Sequence, residues 1–270
     1  MLGYLSRALV LFIQVPTSSE EWQKIAAEFH CQWNFPNCIG ALDGKHVQIV
    51  PPQNSGSLFF NYKHYNSIVL LALVDACYRF LYVDVGSYGR ISDGGVFNSS
   101  TLSSAMESNM LCTPNDCKLP GSSISAPHVI VADDAFALKR YIMKPYTRRN
   151  LTQQQRIYNY RLSRARRVVE NAFGILSSRF RVFGKAINLS PDKVQAVVMA
   201  ACCLHNFLLR NPTSASGYIP ENPDTSSDLR PIAKQGSNRH SKDAMAVRDA
   251  FCQYFNSDAG AVSWQLNAIS

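Results

Sequence analysis

The chain has 270 residues, 46% of them hydrophobic, with a net charge of +8 and a pI near 9.1. That apolar content excludes a disordered chain and suits one large domain, or one domain with appendages, around a sizeable core. No apolar run nears the roughly eighteen residues that span a bilayer, and eight scattered cysteines without a Cys-x-x-Cys pattern suit a reducing compartment rather than a disulfide framework.

Residues 1–14 read as the end of an amphipathic helix; the stretch Ala8 to Val15 contains Gln14 and lacks a small-x-small site, so it is not a signal peptide. Thr17-Ser18-Ser19-Glu20-Glu21 caps a helix to about Phe29. Ile39 to Val50 reads as a strand stopped by Pro51-Pro52. It carries Asp43, and an ionised acid inside a buried strand is costly unless paired or metal-bound; the alternative is a turn at Asp43-Gly44. Gln53 to His64 reads as a polar loop. Asn66 to Cys77 and Phe80 to Val85 are apolar strands joined so tightly that they form an antiparallel hairpin.

A glycine-rich loop from Gly86 to Gly95 follows, without a phosphate-loop or dinucleotide fingerprint. Asp93 is placed to cap a helix over Gly95 to Glu107. Leu111 to Pro127 reads as a surface loop. It contains Cys112 and Cys117, but a zinc site there would need two further ligands that the sequence does not offer. His128 to Val131 is a short buried strand that runs into Asp133 and Asp134, the end of a strand where open α/β sheets place their sites. Helical pattern resumes at Ala135.

The segment Tyr158 to Gly174 reads as a helix with Leu162, Ala165, Val169, Ala172 and Phe173 on one face and Arg161, Arg164 and Arg167 on a neighbouring one. From Lys139 to Lys185 there are thirteen Lys or Arg and one acid, Glu170. That segment is therefore +12, and the rest of the +8 chain sums to −4. A carboxylate in such a field is either a helical ion pair with Arg166 or a metal ligand beside a groove for a polyanion. A helix from Pro191 through Leu209 follows, with His205 on an apolar run. Asn211 to Ser241 is rich in Pro, Ser, Asn and Thr and reads as a mobile linker. A short amphipathic helix with Val247, Ala250, Phe251 and Tyr254 on one face ends the chain and is placed to dock back on the core.

Strand, hairpin, helix, strand, helix, with acids at Asp43, Asp133 and Glu170, is compatible with an α/β fold of the ribonuclease H-like kind, a mixed sheet flanked by helices. Three converging carboxylates repel one another unless a cation neutralises them, and oxygen-only ligands suit Mg²⁺ or Mn²⁺.

Four segments carry a family resemblance: Phe35 to His46, Asp84 to Ser87 with Ser92 to Phe97, Val131 to Phe136, and the Tyr158 to Gly174 helix. Together they resemble the catalytic domain of PIF/Harbinger-type DDE transposases and the nucleases derived from them. The resemblance implies a metal-dependent hydrolase cutting DNA phosphodiester bonds, with Asp43, Asp133 and Glu170 as catalytic metal ligands. It implies Asp93 and Asp134 as supporting acids. The run Ala132-Asp133-Asp134-Ala135 departs from the family pattern and leaves both aspartates as candidates for the second ligand. Lys45, His46, Arg161, Arg164, Arg166 and Arg167 are the expected DNA-binding residues. The expected organisation is an N-terminal helical remnant over 1–34, the nuclease domain over 35–210, and linker plus helix over 211–270. The nucleus is the implied compartment, with a separate DNA-binding partner protein and a homo-oligomer as expected associations and no membrane. The rival expectation is a domesticated DNA-binding or adaptor protein that keeps the fold without catalysis.

Overall fold

The structure, a computed structural model, describes residues 12–147, 149–220, 229–231 and 241–269. Ser18 accepts from the Glu21 amide and starts helix α1 (Ser19–Trp33). Strands β1 (Cys38–Gln48), β2 (Ser67–Val74) and β3 (Phe80–Tyr88) form an antiparallel meander. All eight residues of β2 are buried, as a continuous apolar run requires when both faces of a sheet are covered. β1 runs unbroken through Asp43, which pairs with Ala72, so there is no turn at Asp43-Gly44.

Helices α2 (Asp93–Asn98) and α3 (Thr101–Glu107) lead through a two-stranded ribbon of β4 (Cys117–Lys118) and β5 (Ser125–Ala126) to β6 (Val129–Ala132) and β7 (Ile142–Met143). The sheet order is β3-β2-β1-β6-β7, with β6 parallel to β1, so β1 is central. This is the mixed α/β sheet expected of a ribonuclease H-like core. Helix α4 (Gln153–Arg179) packs on β1, β2 and β6, α5 (Pro191–Arg210) on β3, and the short α6 (Pro212–Tyr218) follows α5. Strand β8 (Arg230–Pro231) pairs with β1 at Lys45 and His46, and α7 (Lys242–Phe255) packs on α4. Phe251 and Phe255 meet Phe35 at ring distances of 5.3 and 5.0 Å, so the C-terminal helix shares the core of the sheet.

Several local expectations are corrected. One helix over Gly95 to Glu107 is two, because Ser92 and Ser100 each cap a separate start; Asp93 occupies the first helical position rather than the cap. Residues after Ala135 form turns and β7, not a helix: Lys144 reaches back to the Asp134 carbonyl and Ile142 joins the sheet. The long helix starts earlier and passes Gly174, because a Thr152–Gln155 capping box opens it and burial carries it to Arg179. Of the expected linker, Pro212–Tyr218 is helical and Arg230–Pro231 is paired; residues 221–228 and 232–240 lie outside the described residues, as do 1–11 of the expected N-terminal helix.

Candidate active site

The parallel register pairs Leu42 with Ala132. One residue further on each strand stand Asp43 and Asp133, side by side where β6 ends. Asp93 comes from the other direction. Gly94 permits its approach: a Cβ there would stand 2.9 Å from the Ala135 carbonyl oxygen, too close for any side chain. The turn bearing Asp93 thus lies directly on the segment after Asp133.

Asp93 feels the other two aspartates. Burial, then the charges of Asp43 and Asp133, push the Asp93 carboxyl well above the usual carboxylate range, against the pull of Lys45. Asp93 is 2% exposed and its Oδ1 has no hydrogen-bond partner. Lys45 Nζ lies 3.2 Å from Asp43 Oδ2, an ion pair, yet that oxygen accepts no well-directed hydrogen bond. Lys45 Nζ also sits 5.8 Å from the Phe173 ring centre, which ties this corner to α4.

Glu170 on α4 is ion-paired with Arg166 at 2.7 Å, the plain helical pair that the four-residue spacing allows. Arg166 is more than that pair. Burial disfavours its charge, but Asp43, Glu170 and Asp133 outweigh burial and raise its pKa. The guanidinium therefore lies in the field of all three expected ligands. Asp134 turns away: its carboxylate and carbonyl oxygens both engage Lys144, at 3.1 and 2.9 Å. Asp133 Oδ1 accepts from the Ala135 amide at 2.8 Å, which fixes its orientation. Asp133→Ala is accordingly expected to remove metal-dependent cleavage and Asp134→Ala to retain most of it. Plasmid-nicking rates for the two variants check this, and the reverse pattern would exchange their roles.

The expected DNA-binding residues divide. His46 is 1% exposed, bonded through Nδ1 to Ser67 Oγ at 2.9 Å, and burial first, with Lys63 and Lys45 adding, pushes its pKa down to about 4; it is neutral at pH 7 and part of the core. Arg161 is also inside. It donates to the carbonyls of Gly260 and Asn34 and to Gln265 Oε1, and lies 4.4 Å from the Phe255 ring centre. A guanidinium so engaged is not available to phosphate; it joins α4 to the C-terminal segment. Arg161→Ala leaves buried acceptors unpaired and is expected to cost about 3 kcal/mol, at roughly 1–3 kcal/mol for each lost partner. A urea midpoint lowered at unchanged m-value is the readout, and a change inside experimental error refutes the role. Arg164 lies over the Trp264 ring at 4.7 Å, and Arg167 is exposed.

Two buried carboxylate oxygens without hydrogen-bond donors, Asp43 Oδ2 and Asp93 Oδ1, belong to a hard, oxygen-only donor set. That chemistry fits Mg²⁺ or Mn²⁺. In their present positions no three His, Cys, Asp or Glu side chains among the described residues stand close enough to hold a metal ion. Lys45 and Arg166 supply the positive charge instead.

A mixed sheet of this order, with one acid inside the central strand, a second just past the end of the adjacent parallel strand and a third on the covering helix, defines the ribonuclease H-like class of α/β protein. The chain belongs to the family described as DDE superfamily endonuclease, which matches residues 42–206. Among curated proteins it is 29% identical over 203 residues to "Putative nuclease HARBI1" of Homo sapiens, covering 74% of this chain and 54% of the relative. It is 28% identical over 191 residues to "Protein ALP1-like" of Arabidopsis thaliana, covering 69% and 46%. The chain is thus of Harbinger transposase-derived nuclease descent, and it spans about half the length of the curated relatives it matches. No solved structure matches it. Among the described residues no helix is long and apolar enough to cross a membrane.

Sequence reasoning missed the Gly94 contact, the Asp134–Lys144 pair and the aromatic content of the loop before β2. The last was legible: Phe59 to Tyr65 holds four aromatics among seven residues.

Proposed function

We propose that the chain is a divalent-metal-dependent DNA endonuclease, with Asp43, Asp133 and Glu170 as the ligands and Asp93 supporting them. The observation that carries the reading is that Asp43 and Asp133 lie near enough to Asp93 to raise its carboxyl, whose buried Oδ1 accepts no hydrogen bond. A bound Mg²⁺ or Mn²⁺ supplies an activated water and offsets charge on the phosphate during in-line displacement. The protein's part is positioning. Asp43 and Asp133 are held by the sheet register, and Glu170 is presented by a helix packed on the same strands. Glu170 would help hold the cation, and Arg166, which lies in the field of Asp43, Asp133 and Glu170, would offer its guanidinium to a phosphate oxygen. Lys45 is placed to do the same from the strand side. Exposed Arg167 and half-buried Arg164 extend the positive surface along α4 for the DNA backbone. The relatives come from animals and a plant, so the reading carries the nucleus as compartment. A separate DNA-binding partner and self-association belong to the same proposal.

A second reading has an observation of its own. Lys45 and Arg166 already neutralise Asp43 and Glu170, as in a DNA-binding adaptor that no longer uses metal. Incubation of the chain with supercoiled plasmid and Mn²⁺ separates the two. Nicked and linear products that vanish with chelator support the endonuclease. Intact plasmid together with a Mn²⁺ titration that detects no site supports the adaptor.

A further inference from the structure

The loop between β1 and β2 exposes two large aromatic side chains, Phe60 at 44% and Tyr62 at 49%, and Tyr62 stands near the acidic site. The loop that carries them is firmly built. Asn61 is 2% exposed; its Oδ1 accepts from the amides of Lys63 and Tyr65, and its Nδ2 donates to Ser67 Oγ at 2.8 Å. Ser67 Oγ in turn meets His46 Nδ1. The loop is therefore anchored to the strand that carries Asp43. The Tyr62 ring lies 6.1 Å from that of His46, the residue after Lys45, whose Nζ contacts Asp43. Asp93 and Lys45 both bear on the Tyr62 phenol, whose pKa is raised by burial first and by Asp93 next.

Apart from Asp93, the charged groups that lie against these rings are cationic. Val50 to Asn66 contains no Asp or Glu. Lys63 Nζ sits 5.6 Å from the Tyr62 ring centre, and Arg230 of β8 lies over Tyr65 at 5.4 Å. Rigid aromatic faces flanked by cations complement a base together with its phosphate. Inside a duplex both faces of each base are already stacked, so away from the duplex ends a protein ring can take up only an unpaired or extruded base.

We infer that Phe60 and Tyr62 form a stacking platform for an unpaired base next to the phosphate at the acidic site, so that the preferred substrate is DNA that is single-stranded or opened at the point of cleavage. The inference rests on the reading of the chain as a DNA-cutting protein, and names the form of DNA.

The test uses the full chain in chelator, so that binding is read apart from cleavage. The probes are a short fluorescein-labelled single strand carrying 2-aminopurine and a blunt duplex of the same sequence. Phe60→Ala and Tyr62→Ala are each expected to weaken single-strand binding by about 5- to 150-fold, the range for loss of one base–aromatic stack, and to leave duplex binding unchanged. Quenching of 2-aminopurine by the parent protein is expected to disappear in Tyr62→Ala and return in Tyr62→Trp. Tyr62→Leu keeps an apolar side chain without an aromatic face and guards against a folding defect in the alanine variant. Unchanged single-strand affinity in a folded Phe60→Ala/Tyr62→Ala protein overturns the inference. So does equal loss for both probes, or a parent protein that binds neither and leaves the patch to a protein partner. Aromatic-dependent single-strand binding without plasmid nicking removes the catalytic reading and leaves the platform standing; nicking without aromatic dependence does the opposite.

Discussion

Asp43→Asn is expected to fold normally and to lose cleavage by more than about 100-fold, since even residues that only support a metal ligand cost roughly 10- to 100-fold when removed. The substitution is nearly isosteric on a strand whose backbone pairing with Ala72 does not involve the side chain. It removes one of the two charges that raise the Asp93 carboxyl, so the Asp93 pKa is expected to move down. The sign for stability follows. An acid whose folded pKa lies above its unfolded value favours the folded state below the unfolded pKa, and that contribution is lost as pH rises through the folded pKa. Metal-free parent protein should therefore lose stability as pH climbs through the Asp93 titration, and Asp43→Asn should lose less. Cleavage by a mutant at the parent rate would show that Asp43 is only the partner of Lys45.

Glu170→Gln is expected to weaken Mn²⁺ binding and to reduce cleavage by a comparable factor, while changing stability little. An i,i+4 ion pair on a helix contributes about 0.3–0.5 kcal/mol. Arg166 retains the fields of Asp43 and Asp133 when Glu170 is neutralised, which limits even that loss. DNA affinity in chelator is expected to hold or rise, because the change removes the one acid among thirteen cations between Lys139 and Lys185. Three measurements on one variant thus separate the helical pair from the metal ligand: calorimetric Mn²⁺ titration, plasmid nicking, and the urea midpoint. Near-normal nicking with Mg²⁺ ends the three-acid reading and leaves Glu170 as the partner of Arg166.

The fold was legible where apolar pattern decides it. The apolar run within Asn66 to Cys77 reads as a strand, and the helix without proline over Tyr158 to Gly174 shows its buried stripe at three- and four-residue spacing, though the structure extends it to Gln153–Arg179. The candidate acids were legible too, because an Asp in an apolar strand and one Glu in a basic segment stand out by residue type alone. The roles of the arginines were not. Helical periodicity puts Arg161 on the flank with Arg164, yet α7 and the Gly260–Gln265 segment close over it and turn a surface charge into a buried crosslink.

By itself, then, the sequence determined the long strands and helices, the family, and which acids are candidates, since these depend on local periodicity and on residue types costly to place elsewhere. Tertiary structure alone decided which charges meet. It set Asp43 beside Asp133 through the parallel register and let Asp93 approach because Gly94 has no side chain. It turned Asp134 toward Lys144, and it brought Arg166 into the field of three carboxylates. Electrostatic partnership depends on distances between segments far apart in the chain, and those distances exist only after the sheet and its covering helices have packed.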